Sequence, residues 1–151
     1  MNSNAVFVLL SLIGMTIGSL IYVSTSERPN VWYLRTYGDD VYGFAYSAEI
    51  VKDGAMLAVH CAEKELEISF FSEKDNVFQK GERRSPLVLI DNRRLIWHGQ
   101  AASGRSITFP IQRSVVELMQ RSSSFAIYDK VFPLDTGREQ LIKLENSCFS
   151  R

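Results

Sequence analysis

The sequence predicts a mainly β fold of the α+β class: a compact antiparallel β-sandwich of about seven or eight strands with two helices late in the chain. Short runs of β-branched and aromatic residues recur from residue 31 onwards and are separated by turn-forming residues. Apolar residues recur at helical spacing only after Pro110. We therefore expect one β-rich domain over residues 27–151, behind an N-terminal segment of residues 1–26.

The N-terminal segment contains a long apolar run. Residues 5–23 (AVFVLLSLIGMTIGSLIYV) are nineteen residues without a charge, about the length that crosses a bilayer as a helix. No Lys or Arg precedes the run and no A-x-A follows it, which favours an uncleaved transmembrane anchor over a signal peptide cleaved near Ser26. Gly14 and Gly18 form a G-x-x-x-G, a spacing of small residues that lets two membrane helices approach closely. The two readings are pairing of this helix, as in a homodimer, and a motif that occurs by chance.

The centre of the domain is a predicted hairpin over residues 56–71 (MLAVHCAEKELEISFF). Apolar residues alternate with a period of two on both of its strands, as a half-buried strand requires. On the first strand Leu57, Val59 and Cys61 share one face. We therefore expect Cys61, placed at the turn, to face the core.

The other strands follow from the same signals of β propensity and turn residues. Residues 49–54 are expected to turn back through Asp53-Gly54, residues 72–85 to form an exposed charged loop, and residues 99–104 to be a flexible link. The remaining predicted strands are residues 31–36, 41–47, 86–90, 94–98, 106–109, 125–128 and 131–134.

Two helices are predicted near the C-terminus. Pro110 suits the first turn of a helix, and the apolar residues within 115–119 recur at helical spacing. Thr136 and Glu139 match a capping box at the start of the second helix. Cys148 lies on the apolar stripe of that helix, so it is expected beside the sheet that holds Cys61.

Cys61 and Cys148 are the two cysteines of the chain. Behind an export segment, an even pair that faces inward predicts a disulfide, the alternative being two reduced, buried thiols. A bridge that closes a loop of about 87 residues should stabilise the fold by roughly 4 to 5 kcal/mol. Because a disulfide needs an oxidising compartment, we expect the domain in a bacterial periplasm, with its anchor in the inner membrane.

The charge balance argues against nucleic acid as a partner. Seventeen basic and seventeen acidic residues cancel, whereas binding to phosphates requires a positive excess. Residues 76–151 nevertheless carry twelve basic and seven acidic residues. These basic side chains are either a solvated surface or a docking patch for an acidic partner. Candidate partner-binding residues are Arg83, Arg84, Arg93 and Arg94, together with the aromatic residues Tyr37 and Tyr42 near a turn.

No stretch predicts an active site, a metal site or a cofactor. His60 and His98 are the two histidines, and they are isolated from each other and from the cysteines in the sequence. Glu63, Glu65 and Glu67 alternate along the central hairpin, where carboxylates usually form a solvated face. We therefore expect a protein without enzyme activity.

Several pieces of the sequence resemble, in their order, pieces of known proteins. They are Trp32, the strand ending in Cys61 followed by Leu66-Glu67-Ile68, residues 91–97, Phe109-Pro110 before the helix of residues 115–119, and the last helix with Cys148. Their order resembles a group of small exported bacterial proteins with two cysteines and a β-sandwich. This group includes the type VI secretion-associated periplasmic family and, more distantly, the invasion-associated locus B proteins. The resemblance implies a β-rich accessory domain with a single disulfide and no catalysis.

Together these observations predict a membrane-anchored binding or accessory protein that faces the periplasm and contacts a protein partner in the envelope. The alternative is an immunity or inhibitor protein, or a phage superinfection-exclusion protein, that blocks a cell-wall enzyme or a phage entry step. Such an inhibitor should present a protruding loop, for which residues 72–85 and 99–104 are the candidates.

Overall fold

The computed structural model describes residues 30–36 and 46–149. Within these residues the chain forms eleven β-strands, one 3-10 helix and two α-helices. The strands are β1 (Trp32–Thr36), β2 (Tyr46–Lys52), β3 (Ala55–Ala62), β4 (Glu65–Ser72), β5 (Arg83–Arg84), β6 (Leu87–Ile90), β7 (Arg93–Ile96), β8 (Gly99–Ala101), β9 (Ser106–Ile111), β10 (Ser124–Ile127) and β11 (Lys130–Pro133). The helices are α1 (Arg113–Gln120) and α2 (Arg138–Phe149), with the 3-10 helix at Asp135–Gly137.

The strands form two antiparallel sheets. The large sheet has seven strands in the order β1-β2-β3-β4-β9-β8-β5, and the small sheet has four in the order β11-β10-β6-β7. Strands β1 to β4 are neighbours in the sheet and are also consecutive in sequence, and turns of two residues join β2 to β3 and β3 to β4. The mainly β prediction with two late helices is confirmed, but the predicted number of strands is too low.

The central hairpin forms as the alternation predicts. Val59 pairs with Ala48 on β2 and with Ile68 on β4, and all three are fully buried. Cys61 also faces this core, with 2% of its surface exposed. It lies within β3 rather than at the turn, which is made by Glu63 and Lys64, both with positive φ.

The inner faces of the two sheets pack against each other through aromatic rings. Phe70 of the large sheet lies 6.5 Å from Phe132 of the small sheet, measured between ring centroids. Trp97, just after β7, lies 5.9 Å from Phe109 and 5.5 Å from Phe125. A single hydrophobic cluster therefore unites both sheets within the described residues, and such burial is the main stabilising force of a fold.

The last helix closes the end of the core next to β1, β2 and β3. Its buried side chains include Leu141, Leu144 and Cys148, the stripe that the helical spacing predicts. Cys148 forms a disulfide with Cys61 across a sequence separation of 87 residues, with the two Cα atoms 5.8 Å apart. The predicted disulfide is confirmed, and it joins α2 to the middle of the large sheet.

Several predicted boundaries are wrong, and backbone pairing explains each case. Glu49 lies within β2 instead of starting the turn, although Asp53-Gly54 does turn the chain. The segment of residues 72–85 contains β5 and the buried Phe78, and residues 99–104 contain β8. Pairing with neighbouring strands gives these short polar segments a strand geometry that their own composition does not favour.

The helix starts also differ from the predictions. Pro110 pairs with Glu67 inside β9, and α1 begins at Arg113. The ring of Pro110 leaves the backbone without one N–H donor, and this loss is tolerated near the end of a strand. Thr136 lies in the 3-10 helix, where its N–H donates to Oδ1 of Asp135 at 2.9 Å, so it is not the cap of α2.

The predicted anchor of residues 5–23 lies outside the described residues. Among the residues that the structure does describe, none belongs to a helix long and apolar enough to span a bilayer. The expected anchor therefore stays a prediction, as does its pairing with another helix through Gly14 and Gly18.

Candidate functional site

An open groove of about 740 Å³ lies on the large sheet where β9, β8 and β5 meet. It is on the outer face of this sheet, opposite the small sheet, because Thr108 lies between the inward-facing Ile107 and Phe109. We call it the β5 groove. Its polar lining includes Glu67, Arg83, Ser85, His98, Gln100 and Thr108.

Main-chain pairing at the sheet edge builds the floor of the groove. The N–H of Gly81 donates to the carbonyl oxygen of Ala101, and the N–H of Ala101 donates to that of Glu82, each at 2.8 Å. Gly99 allows β8 to approach β9 closely, because a Cβ at this position would overlap the ring of Phe109. These contacts set Arg83 opposite Gln100, which in turn lies opposite Thr108.

Arg84 contacts other residues of the domain, and these contacts occupy its guanidinium. Its Nε donates to Oε1 of Glu82 at 2.8 Å, and its guanidinium lies 5.1 Å from the ring centroid of Phe78. The hydrogen bond from Arg84 lowers the pKa of the Glu82 carboxyl below its usual range. Arg84 is therefore already engaged, whereas Arg83 is exposed and forms no ion pair with any described residue.

A serine and a histidine meet at the rim of the groove. Oγ of Ser85 and Nδ1 of His98 are 2.7 Å apart, and the pair is exposed to solvent. Catalysis by such a pair usually needs a third group that orients the imidazole. Within the described part of the chain no carboxylate holds the other nitrogen of His98. The pair is thus suited to hydrogen bonding with a bound group.

Polar side chains on the same side of the large sheet continue from the groove towards its centre, where Ser69, His60 and Ser47 are buried. Oγ of Ser69 and Oγ1 of Thr108 are 2.9 Å apart, and Glu67 lies directly across from His60. Burial lowers the pKa of His60 to about 4, so the imidazole is neutral near pH 7. On the next strand Ser47 faces His60, and its buried Oγ has no hydrogen-bond partner among the described groups.

A second groove of about 530 Å³ lies between β7 and α1. Arg93 lines it together with Asp91, Glu117 and Arg121. Oδ1 of Asp91 accepts hydrogen bonds from backbone N–H groups at the start of β10, and these bonds lower the pKa of its carboxyl. Nη2 of Arg121, the residue that follows α1, lies 3.9 Å from Oε2 of Glu117 on α1. Asp91, Glu117 and Arg121 therefore each have a partner within the fold, whereas Arg93 forms no ion pair with a described residue.

The four arginines predicted to bind a partner do not form one patch. Arg83 lines the β5 groove, Arg84 is held by Glu82, and Arg93 lines the second groove. Arg94 lies on the outer face of the small sheet, opposite Leu89. Tyr37 and Tyr42, the aromatic candidates, lie outside the described residues.

The grouping of Ser85, His98 and Gln100 around Arg83 was not predicted from the sequence. These residues meet because the two-residue strand β5 pairs with β8, and such a short strand leaves no periodic signal. Only the turn residue Gly81, which has a φ of +84°, marks the place where the chain returns to the sheet. No three potential metal ligands lie together among the described residues.

Comparisons of the chain with protein-family models, with curated proteins and with solved structures found no match.

Proposed function

We propose that this chain is a membrane-anchored binding or accessory protein of the bacterial envelope, with its domain in the periplasm and without catalytic activity. It acts by holding a segment of a partner protein in the β5 groove. The anchor is residues 5–23, and the resemblance to small exported secretion-associated proteins supports an accessory role.

The observation that carries this proposal is the exposed Arg83 in an open polar groove. Its guanidinium offers a fork of donors that matches a carboxylate. Ser85, His98 and Gln100 supply further hydrogen-bonding groups around it, and Glu67 places one negative charge in the same groove. This arrangement suits a partner segment with an acidic residue near Arg83 and a basic or hydrogen-bonding residue near Glu67.

The alternative is an inhibitor that inserts a protruding loop into the cleft of another protein, and the structure of its two candidate loops supports it less well. Residues 72–85 and 99–104 were the candidate loops for such a plug. They instead pack on the large sheet, where Phe78 is buried and its N–H donates to the carbonyl oxygen of Gly104. A concave site on this protein is thus favoured over a protruding one.

The test is recovery of partners cross-linked to the full chain in intact cells. We expect Arg83→Glu to reduce recovery strongly, because the carboxylate would repel an acidic partner segment. Arg93→Glu is the matched control, since it makes the same charge change in the second groove, and it should leave recovery close to wild type. Equal recovery for wild type and Arg83→Glu would remove the β5 groove as the binding site.

The location is tested separately. In cells, the full chain should resist extraction from membranes at alkaline pH, and its domain should be cut by protease only after the outer membrane is opened. Release into the soluble fraction would favour cleavage near Ser26, and protection from protease would contradict a periplasmic domain. Replacing Gly14 and Gly18 with Leu should abolish cross-linked dimers if the anchor pairs.

A further inference from the structure

The outer face of the small sheet carries a continuous apolar surface. Because side chains alternate between the two faces of a strand, Val88 and Ile90 face the core, whereas Leu87 and Leu89 face outward. Outward-facing residues on adjacent strands lie beside each other in register. The apolar members of this surface, which we call the small-sheet face, are Leu87, Leu89, Ile96, Ala126 and Val131.

This face is open to solvent to a degree that is unusual for large apolar side chains. Ile96 is 67% exposed, Val131 51% and Leu87 50%. Leu87 and Ile96 are direct partners across β6 and β7, so their exposed surfaces join. A positive charge adjoins them, since Arg94 lies opposite Leu89 on the same face.

The point where the N-terminal chain enters the domain lies close to this face. The N–H of Asn30 donates to the carbonyl oxygen of Val51 at 2.9 Å, which fixes the chain there. Two residues later, Nε1 of Trp32 donates to the carbonyl oxygen of Pro133 at 2.7 Å. Pro133 ends β11, the strand that carries Val131. The tether thus joins the domain beside one edge of the small sheet.

The tether is short compared with the domain. From the end of the apolar run at Val23 to Asn30 there are seven residue steps, which span at most about 25 Å when fully extended. A domain of roughly 120 residues has a radius of gyration of about 14 Å and is wider than that reach. If residues 5–23 cross a bilayer, the part of the domain next to Asn30 must remain at the membrane surface.

We propose that the small-sheet face rests on the surface of the membrane that holds the anchor. Its occupant is the lipid at the boundary of headgroups and acyl chains, where Leu87, Ile96 and Val131 insert shallowly and Arg94 meets anionic headgroups. This inference rests on the proposed function, because it requires the anchor. It leaves the β5 groove, on the outer face of the opposite sheet, directed away from the bilayer and open to a partner.

The test uses the full chain reconstituted in vesicles that contain anionic phospholipid, with or without brominated acyl chains. Ile96→Trp places a fluorophore on the small-sheet face. Ile142→Trp is the matched control, because Ile142 is an exposed isoleucine on α2 with 41% of its surface accessible. The signal of the native Trp32 and Trp97 is measured in the wild-type chain and subtracted.

We expect bromine to quench the fluorescence added by Ile96→Trp and to leave that added by Ile142→Trp largely intact. Vesicles without anionic lipid, or the additional change Arg94→Glu, should weaken the quenching. A chain that floats with the vesicles but shows equal, slight quenching at both positions would overturn the proposal while leaving the anchor in place. Failure to float with the vesicles would instead contradict the proposed anchor. A blue shift at position 96 without quenching by bromine would show that protein covers this face, and would also overturn the proposal.

Discussion

His60 is a buried histidine on the polar side of β3, with Glu67 and Ser47 as its cross-strand neighbours. Burial lowers its pKa from 6.5 to about 4 in the folded protein. Between these two values the unfolded chain binds a proton that the folded chain does not. The contribution of the neutral His60 imidazole to the free energy of unfolding is therefore fully present above about pH 6.5, and it is lost as the pH falls towards 4.

We predict that the free energy of unfolding decreases by about 3 kcal/mol between pH 6.5 and 4 through His60 alone. The variant His60→Gln should lose this part of the pH dependence, as measured by urea unfolding at several pH values. The variant His98→Gln removes the exposed histidine and should keep the wild-type slope. A slope unchanged in His60→Gln would show that other groups cause the loss of stability in acid.

Gly99 is the residue on which the close approach of β8 to β9 depends. Its missing side chain leaves room for the ring of Phe109. We predict that Gly99→Ala lowers the free energy of unfolding by about 1 to 3 kcal/mol, as overpacking of a core contact does. It should also weaken partner recovery, because β8 forms one wall of the β5 groove.

The matched control for Gly99→Ala is Gly104→Ala in the same part of the chain. A Cβ at Gly104 would meet Asn76 N at 3.5 Å, an ordinary contact. Thermal unfolding should therefore separate the two variants, with Gly104→Ala close to wild type. Equal melting temperatures for both variants would show that β8 can move away from β9 without loss of stability.

At the scale of elements, α1 and α2 are held together by a carboxylate that is only 8% exposed. Nε of Arg113 lies 2.5 Å from Oε1 of Glu145, and Nε2 of Gln120 lies 2.6 Å from Oε2. Burial alone would raise the pKa of Glu145, but the hydrogen bonds from Gln120 and Arg113 outweigh it and lower the pKa. The charged form is thus the one that the two helices stabilise.

We predict that Gln120→Met lowers the free energy of unfolding at pH 7 by about 1 kcal/mol or more, because one oxygen of a buried charge loses its donor. The exposed pair of Glu139 and Lys143 on α2 provides the control, and Glu139→Gln should have little effect. Urea unfolding measures both. If the two variants were equally stable, the hydrogen bond from Gln120 to Glu145 would contribute nothing measurable to the contact between the helices.

The elements that the sequence predicts well are those with a strong period. The hairpin of β3 and β4 and the apolar stripe of α2 each repeat over eight or more residues, so the pattern identifies them and places Cys61 and Cys148 together. The two-residue β5 and three-residue β8 are too short to show a period. β8 becomes a strand because the edge of β9 offers backbone donors and acceptors, and β5 then pairs with the free edge of β8. The candidate site falls on these two strands, which is why the sequence predicts Arg83 as a candidate but not its neighbours.

At the scale of the whole molecule, the two sheets turn faces of different chemistry outward. The large sheet presents a polar surface with the β5 groove, and the small sheet presents an apolar surface with Arg94. The disulfide between Cys61 and Cys148 lies in the core behind the large sheet and ties the last helix to β3. It therefore holds in place the scaffold on which both outer faces depend.

Removal of this disulfide should destabilise the molecule as a whole. The bridge joins residues 87 apart, and the chain-entropy estimate for such a loop predicts a loss of about 4 to 5 kcal/mol. The double variant Cys61→Ala/Cys148→Ala and the reduced wild-type protein should both show this loss in urea unfolding, since they lack the same constraint. When intact cells are lysed directly into denaturant and an alkylating reagent, both cysteines of the recovered protein should stay unmodified unless a reductant is added first. Modification without reductant would place the domain in a reducing compartment, and it would contradict the proposed periplasmic location together with the binding function that depends on it.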